Sequence, residues 1–272
     1  MLMKKRKLGL ALGAGSTKGF AHIGVLQVLE ENGLVPDCVA GSSIGAIIGG
    51  IYAVGTDLHM LERFAESINM REYLDLSLPL PTGGLLKGER LLELIRLFTH
   101  NKTFQQTRMP YTCVAVDLSA GTLTEFHEGK LADAIRASMS IPAIFAPMQL
   151  SGRMYVDGGV IERVPLNAVK GLGADVIVGV DVGYKGGEAD TSNMNFYQQY
   201  NRCADIMQWE ITKLRTGVAD VMLSPDLSFV KGHFGTAEAR RCVLEGRRAA
   251  EEALPEIRRL LKPKLLQLPA KR

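Results

Sequence analysis

Apolar and polar positions follow two rhythms along the chain. Short apolar runs at Leu8–Leu12 and 34–40 flank a stretch of helical spacing, 20–32, which Gly33 closes, so the first forty residues read as strand, helix and strand. Downstream, Ile44, Ile47, Ile48 and Ile51 recur at i, i+3, i+4 and i+7, the spacing of one helix face. Gly45 and Gly49 fall on a neighbouring stripe, where close approach to a sheet calls for small residues. A further helix is predicted around 89–98, and "YTCVAVDLSAGTLTEF" holds two β-like segments about 119–121, a hairpin pattern. "MYVDGG", "ADVIVGVDV" and "ADVMLSP" supply more apolar runs with helical stretches between them, and a long charged helix is predicted from about residue 236. Strands alternating with helices predict an α/β fold, a three-layer α/β/α sandwich with a mostly parallel central sheet. The stretch 74–88, apolar with prolines and glycines, reads as a connection or as a lid over an apolar pocket.

At 272 residues, 46% hydrophobic and 22% charged, the chain can bury one large core, and 1–272 reads as a single domain. A net charge of +3 gives no reason to expect nucleic acid as a partner. The end is more basic: Arg240, Arg241, Arg247, Arg248, Arg258, Arg259, Lys262, Lys264, Lys271 and Arg272 stand against Glu238, Glu245, Glu251, Glu252 and Glu256. That makes 236–272 a basic helical segment, either an ordinary solvated face or one drawn to anionic membrane surfaces. Cys38, Cys113, Cys203 and Cys242 show neither CxxC nor metal-ligand spacing and fit a reducing, cytoplasmic setting. No cluster of carboxylates or histidines has ligand spacing, so neither a metal nor another cofactor is expected. The basic, then apolar, start mimics a signal peptide, but cleavage there would destroy the glycine-rich loop that begins the domain, so it reads as a first strand. The uncharged stretch between Asp37 and Asp57 could span a bilayer by length, yet its serines, glycines and globular surroundings favour a buried strand and helix.

"VAGSSIGAI" places Ser43 at the centre of a G-x-S-x-G, directly after an apolar run and before a helix. A sharp strand-to-helix turn exposes the central hydroxyl and brings the backbone close to itself at Gly41 and Gly45, while the helix start points its positive end at a developing oxyanion. Ser42 is out of register for this role. A serine hydroxyl needs a base to take its proton. The order Ser, Asp, His of α/β-hydrolases can be filled by Ser43, Asp157 or Asp181, and His233, although His233 sits in a polar, glycine-punctuated loop. His59, His100 and His127 read as surface residues, and His22 as a side chain fixing the glycine-rich loop. The other candidate base is a carboxylate: "YVDGGV" sets Asp157 at the end of an apolar run, before two glycines that permit a tight turn.

Three segments, in order, resemble one family. "GAGSTKG" at 13–19, "GSSIG" at 41–45 and "DGG" at 157–159 resemble the glycine-rich loop, nucleophile elbow and D-G-G of patatin-like phospholipases, the bacterial single-domain branch above all. Lesser matches such as "DAIRASMSIPAIFAPM" carry the resemblance over nearly the whole chain. It implies a Ser/Asp dyad without histidine: Ser43 attacks an acyl ester, and Asp157 takes its proton and later activates water. It also implies an oxyanion hole built from the backbone N–H groups of Gly15 and Ser16, with Lys18 bracing the loop or adding positive potential. Gly13, Gly19, Gly41, Gly45, Gly158 and Gly159 would support the three turns. Ser16 stands where many relatives have glycine, which strains the loop if that position needs a positive φ, and Lys18 stands where arginine, with its forked hydrogen bonds, is frequent. A P-loop needs its lysine followed by a hydroxyl residue, whereas Gly19 follows Lys18. A dinucleotide fingerprint through Gly13, Gly15 and Gly19 leaves Ser43 and Asp157 unexplained. The implied substrate is a lipid or simpler acyl ester, with contact at a membrane surface an option and oligomeric state unspecified. A histidine-dependent hydrolase and a lipid-binding module with little turnover are the rival readings.

Overall fold

The computed structural model describes residues 3–73, 75, 84–188, 191–230 and 237–265. The first half of the chain forms β1 (Met3–Lys4), β2 (Leu8–Leu12), α1 (Ala21–Glu31), β3 (Cys38–Ser42), α2 (Ile44–Ala53), α3 (Leu58–Ser67), β4 (Gly84–Leu86), α4 (Glu89–Phe98), β5 (Tyr111–Asp117) and β6 (Thr122–Phe126). The second half forms α5 (Leu131–Ser138), β7 (Ala143–Phe145), β8 (Met148–Leu150), β9 (Arg153–Asp157), α6 (Leu166–Gly171), β10 (Val176–Val180), α7 (Phe196–Lys213), β11 (Val221–Leu223), α8 (Ala239–Leu261) and β12 (Lys264–Leu265).

Alternation along the central strands divides the molecule into layers. Leu8, Leu10 and Leu12 of β2 and Val176, Val178 and Val180 of β10 face a large core shared with α1, α2 and α8. Their neighbours Ala11 and Ile177 turn to the opposite face, where α6 covers them with Leu166, Ala168 and Val169. The three-layer α/β/α arrangement follows, thicker on the side of α1, α2 and α8. The sheet runs β11-β10-β2-β3-β5-β9-β8, with β6 also on β5. The first five of these strands are parallel. Two tight hairpins make the other end antiparallel: β5 returns as β6, and β8 returns as β9 through Ser151 and Gly152, both at positive φ (50° and 76°), as a two-residue hairpin turn requires.

One feature of this sheet positions everything else. On a single edge of β5, residues Tyr111–Val114 pair with β3, and from Ala115 onward the partner is β9, running the other way. Ser42 lies opposite Val114, and Asp157 opposite Ala115. The end of one strand and the end of another therefore meet head to head.

The elements differ from the sequence expectations in three places. The helix of 20–32 is preceded by a 3-10 turn over Ser16–Phe20, which closes the glycine-rich loop. The strand of 34–40 starts only at Cys38, because Pro36 has no N–H to give a ladder and Asp37 instead takes the Leu8 N–H on its carboxylate at 2.8 Å. The basic helix of 236–272 ends at Leu261. Lys262, before Pro263, is forced to an extended backbone (φ −55°, ψ 133°), and β12 then pairs antiparallel with β1. Four of the six arginines of this helix have a glutamate partner. Arg247 pairs with Glu31, Arg248 with Glu245, Arg259 with Glu256 and Arg240 with Glu66, and its inner side packs on α1. Of the proposed lid at 74–88, residues 74 and 76–83 lie outside the described residues; from Gly84 the chain pairs with β7. His233 also lies outside them.

Candidate active site

The turn after β3 forces Ser43 to φ 55° and ψ −122°, a region that side-chain-bearing residues avoid. Gly45 makes the turn possible, since a Cβ there would lie 2.1 Å from the Leu12 carbonyl oxygen. Ser43 donates its backbone N–H to Ser138 Oγ at 2.9 Å, and its carbonyl receives Ala46 N–H as the first bond of α2. The hydroxyl thus sits at the positive end of a helix. Ser42 is wholly buried, with its Oγ packed under Gly158.

Across the meeting point of β3 and β9, Ser43 Oγ–H donates to Asp157 Oδ2 at 2.5 Å. Asp157 is 5% exposed. Its Oδ1 accepts Gly159 N–H at 2.7 Å and its own N–H goes to the Ser140 carbonyl. Gly158 has room only for hydrogen, because a Cβ would stand 2.4 Å from Val114 O. Burial pushes the Asp157 carboxyl up from its ordinary 3.8 to about 6, against the opposing hydrogen bonds from Ser43 and Gly159. Near neutral pH it is ionised, yet much more basic than an exposed carboxylate.

The glycine-rich loop lies beside this pair and is anchored at its base. Gly13 N–H donates to Val180 O and Ala14 N–H to Arg163 O, while His22 Nε2–H donates to Gly13 O at 2.8 Å. His22 is fully buried, and burial drives it down to about 4, so it is neutral and serves the loop as the sequence suggested. Gly13 and Gly15 lie against Val180 O and Val182, Gly19 against Ile44, and Gly41 against Ala46. Ser16 does adopt a positive φ, 56°, the strain foreseen for a serine at that position. Gly15, Ser16 and Lys18 all line one cleft with Ser43 and Asp157. Asp181, the other candidate acid, is committed elsewhere: it is paired with buried Arg163 at 2.6 Å and accepts Gly183 N–H. His59, His100 and His127 are exposed.

Ser43 stands where two spaces join. One is an apolar cavity of about 100 Å³ between α2, α3 and α4, walled by Ile47, Ile51, Phe64, Leu91 and Phe98. The other is a cleft of about 920 Å³ with Lys18, Lys185, Arg202 and Asp226 among its walls, closed on one side by α7. Ser16, Ser43 and Ile141 belong to both. Ser138, Arg163, Lys185 and α7 also belong to the site, without a local motif that marks them. The one available signal was Arg163, a charge set in the otherwise apolar "VPL" approach to α6.

The family model for patatin-like phospholipases matches residues 10–170. An uncharacterised NTE family protein of Mycobacterium tuberculosis is 38% identical over 191 residues, 70% of this chain and 53% of that protein. Lysophospholipase nte1 of Neurospora crassa is 35% identical over 188 residues, 65% of this chain but 12% of its own length. The matched region thus spans about half of the mycobacterial relative and a small part of the fungal one. Among solved structures, the type III effector ExoU superposes with a TM-score of 0.53 at 16% identity, covering 96% of this chain and 55% of that one. VipD from Legionella pneumophila gives 0.51 at 15% identity, covering 93% and 67%. These two likenesses concern the fold. Since the matched residues take in the loop, the elbow and Asp157 and exceed half of the chain, the protein belongs to the patatin-like phospholipase family.

Proposed function

We propose that the protein is a serine hydrolase of lipid acyl esters, with Ser43 as nucleophile and Asp157 as its base. The observation that carries this reading is the 2.5 Å hydrogen bond from Ser43 Oγ to a carboxylate whose burial raises its basicity. As Oγ attacks the ester carbonyl, its proton passes to Asp157 and negative charge moves onto the carbonyl oxygen. The N–H groups of Gly15 and Ser16 receive that charge, each such donor contributing about 3 kcal/mol in the transition state. The protonated Asp157 then gives its proton to the leaving alcohol, and the regenerated carboxylate draws a proton from the water that cleaves the acyl-enzyme. Lys18 adds positive potential at the same cleft. The apolar cavity beside Ser43 supports an acyl chain on one side of the ester, and the larger polar cleft supports the alcohol and its head group on the other.

Hydrolysis of a panel of chromogenic esters graded by acyl length tests the reading, beside fluorophosphonate labelling. Ser43→Ala and Asp157→Ala should each abolish turnover in folded protein, and the label should sit on Ser43. An active Asp157→Ala enzyme would remove the dyad and return attention to a histidine. Folded protein that neither labels nor turns over esters would favour a binding module.

A further inference from the structure

Helix α7 carries an exposed, largely apolar stripe. Positions 196, 200, 203, 207, 210 and 214 recur at intervals of four and three residues, so Phe196, Tyr200, Cys203, Met207, Glu210 and Leu214 form one stripe along the helix and its cap. Phe196 is 85% exposed, Met207 60% and Leu214 88%. The opposite side is fixed: Trp209 lies under the Arg163 guanidinium and Thr212 is buried. We infer that this stripe is the surface by which the protein sits on a lipid bilayer, the helix lying in the interface with the cleft opening beside it. The choice of a lipid as occupant rests on the hydrolase reading above.

Three observations favour a bilayer. Tyr200 and Met207 belong both to the stripe and to the wall of the cleft that holds Ser43, so the stripe borders the mouth of the site. The charges of α7 cancel, Arg202 and Lys213 against Asp205 and Glu210, with Lys213 paired to Glu210 at 2.7 Å. Such a helix enters an interface by burying apolar area and needs no anionic lipid. A second copy of the chain fits less well. Six side chains on one helix fall short of the roughly 800 Å² per partner of a standard interface, and Glu210 would be sealed against an apolar seam. At a bilayer its carboxylate stays among the head groups. Four of the six arginines of α8 are paired with glutamates, Arg241 lies over Phe229 and Arg258 bonds Asn32, and no helix among the described residues is long and apolar enough to cross a membrane.

The test is flotation with phosphatidylcholine vesicles, with and without phosphatidylglycerol, at low and high salt, using wild type, Ser43→Ala and the double variant Phe196→Glu/Leu214→Glu. Cys203, the exposed one of the four thiols, takes an environment-sensitive fluorophore as a second readout. Wild type and Ser43→Ala should float equally at both salt levels, and the fluorophore should shift to the blue. The double variant should lose partition by about tenfold or more, equivalent to roughly 1.4 kcal/mol, while cleaving a soluble short-chain ester at the wild-type rate. Unchanged flotation of the variant overturns the inference. So does binding that needs anionic lipid and vanishes in salt, which points to the basic residues, or a wild-type dimer that the variant splits on sedimentation. Ester turnover without flotation sinks the surface and leaves the hydrolase. Stripe-dependent flotation without turnover does the reverse.

Discussion

A carboxylate sealed from water becomes a better base and a worse neighbour, and Asp157 shows both. Because the ionised form does the work, kcat/KM for a soluble ester should rise with pH through about 6 and level off above it, a limb readable from initial rates in mixed buffers. The stability consequence has the opposite direction. A folded value of about 6 against 3.8 unfolded means the folded state holds the proton more tightly between those values, so stability falls as pH rises through this window. The full penalty, present above 6, is roughly 3 kcal/mol. Asp157→Asn should therefore be inactive yet more resistant to urea at pH 8, by up to about that amount, with the gain shrinking as pH is lowered toward 4. An equal gain at both ends would rule out ionisation as its cause. Ser43 stores a different strain. Ser43→Gly can adopt φ 55° freely and Ser43→Ala cannot, so the glycine variant should be the more stable of two inactive proteins by about 1–3 kcal/mol in the same denaturation assay.

At the scale of elements, α2 has to approach the sheet closely enough to carry Ser43 to Asp157. Helix propensity alone says that replacing a glycine inside a helix with alanine gains about 1 kcal/mol. At Gly45 the added methyl would meet Leu12 O at 2.1 Å, and α2 would have to lift. Gly45→Ala should cost about 1–3 kcal/mol or more by urea unfolding and slow fluorophosphonate labelling of Ser43. Gly49→Ala, whose nearest neighbours would stand at 3.1–3.4 Å, should be close to neutral in both measurements. The crossing of α1 and α8 obeys the same rule, since a Cβ at Gly246 would fall 1.9 Å from Ala21 O.

At the scale of the molecule, Arg163 joins parts that no local pattern connects. Its carbonyl holds Ala14 of the loop, its guanidinium pairs with Asp181, reaches the Tyr184 carbonyl and lies over the Trp209 ring of α7. Removing one partner of such a buried pair strands the other charge. Arg163→Met should cost about 3–5 kcal/mol, and adding Asp181→Leu should restore a large part of it. A double-mutant cycle in urea measures this; a double variant no better than Arg163→Met would show that Arg163 acts through packing instead.

The periodicities of single elements and the three motifs were legible because each is a property of consecutive residues. Apolar runs marked β2, β10 and, with an early start, β3, the isoleucine spacing marked α2, and the G-x-S-x-G context marked Ser43. The D-G-G was visible too, but its partner was not: bare sequence offered Asp157 and Asp181 alike as the acid of a triad and Asp157 as a lone base on ordinary turn chemistry, and only the resemblance joined it to Ser43 as a dyad. Tertiary structure brought Asp157 to Ser43 across 114 positions, by letting β9 take over the edge of β5 where β3 ends, and gave Asp181 to Arg163. It also set α7 against the cleft with its apolar stripe outward. Side-chain spacing along a strand or helix is fixed by the backbone repeat, so a sequence displays it directly. Which strand ends meet depends on contacts between distant segments, and burial then decides how basic a carboxylate becomes, so neither can be read from its neighbours in the chain.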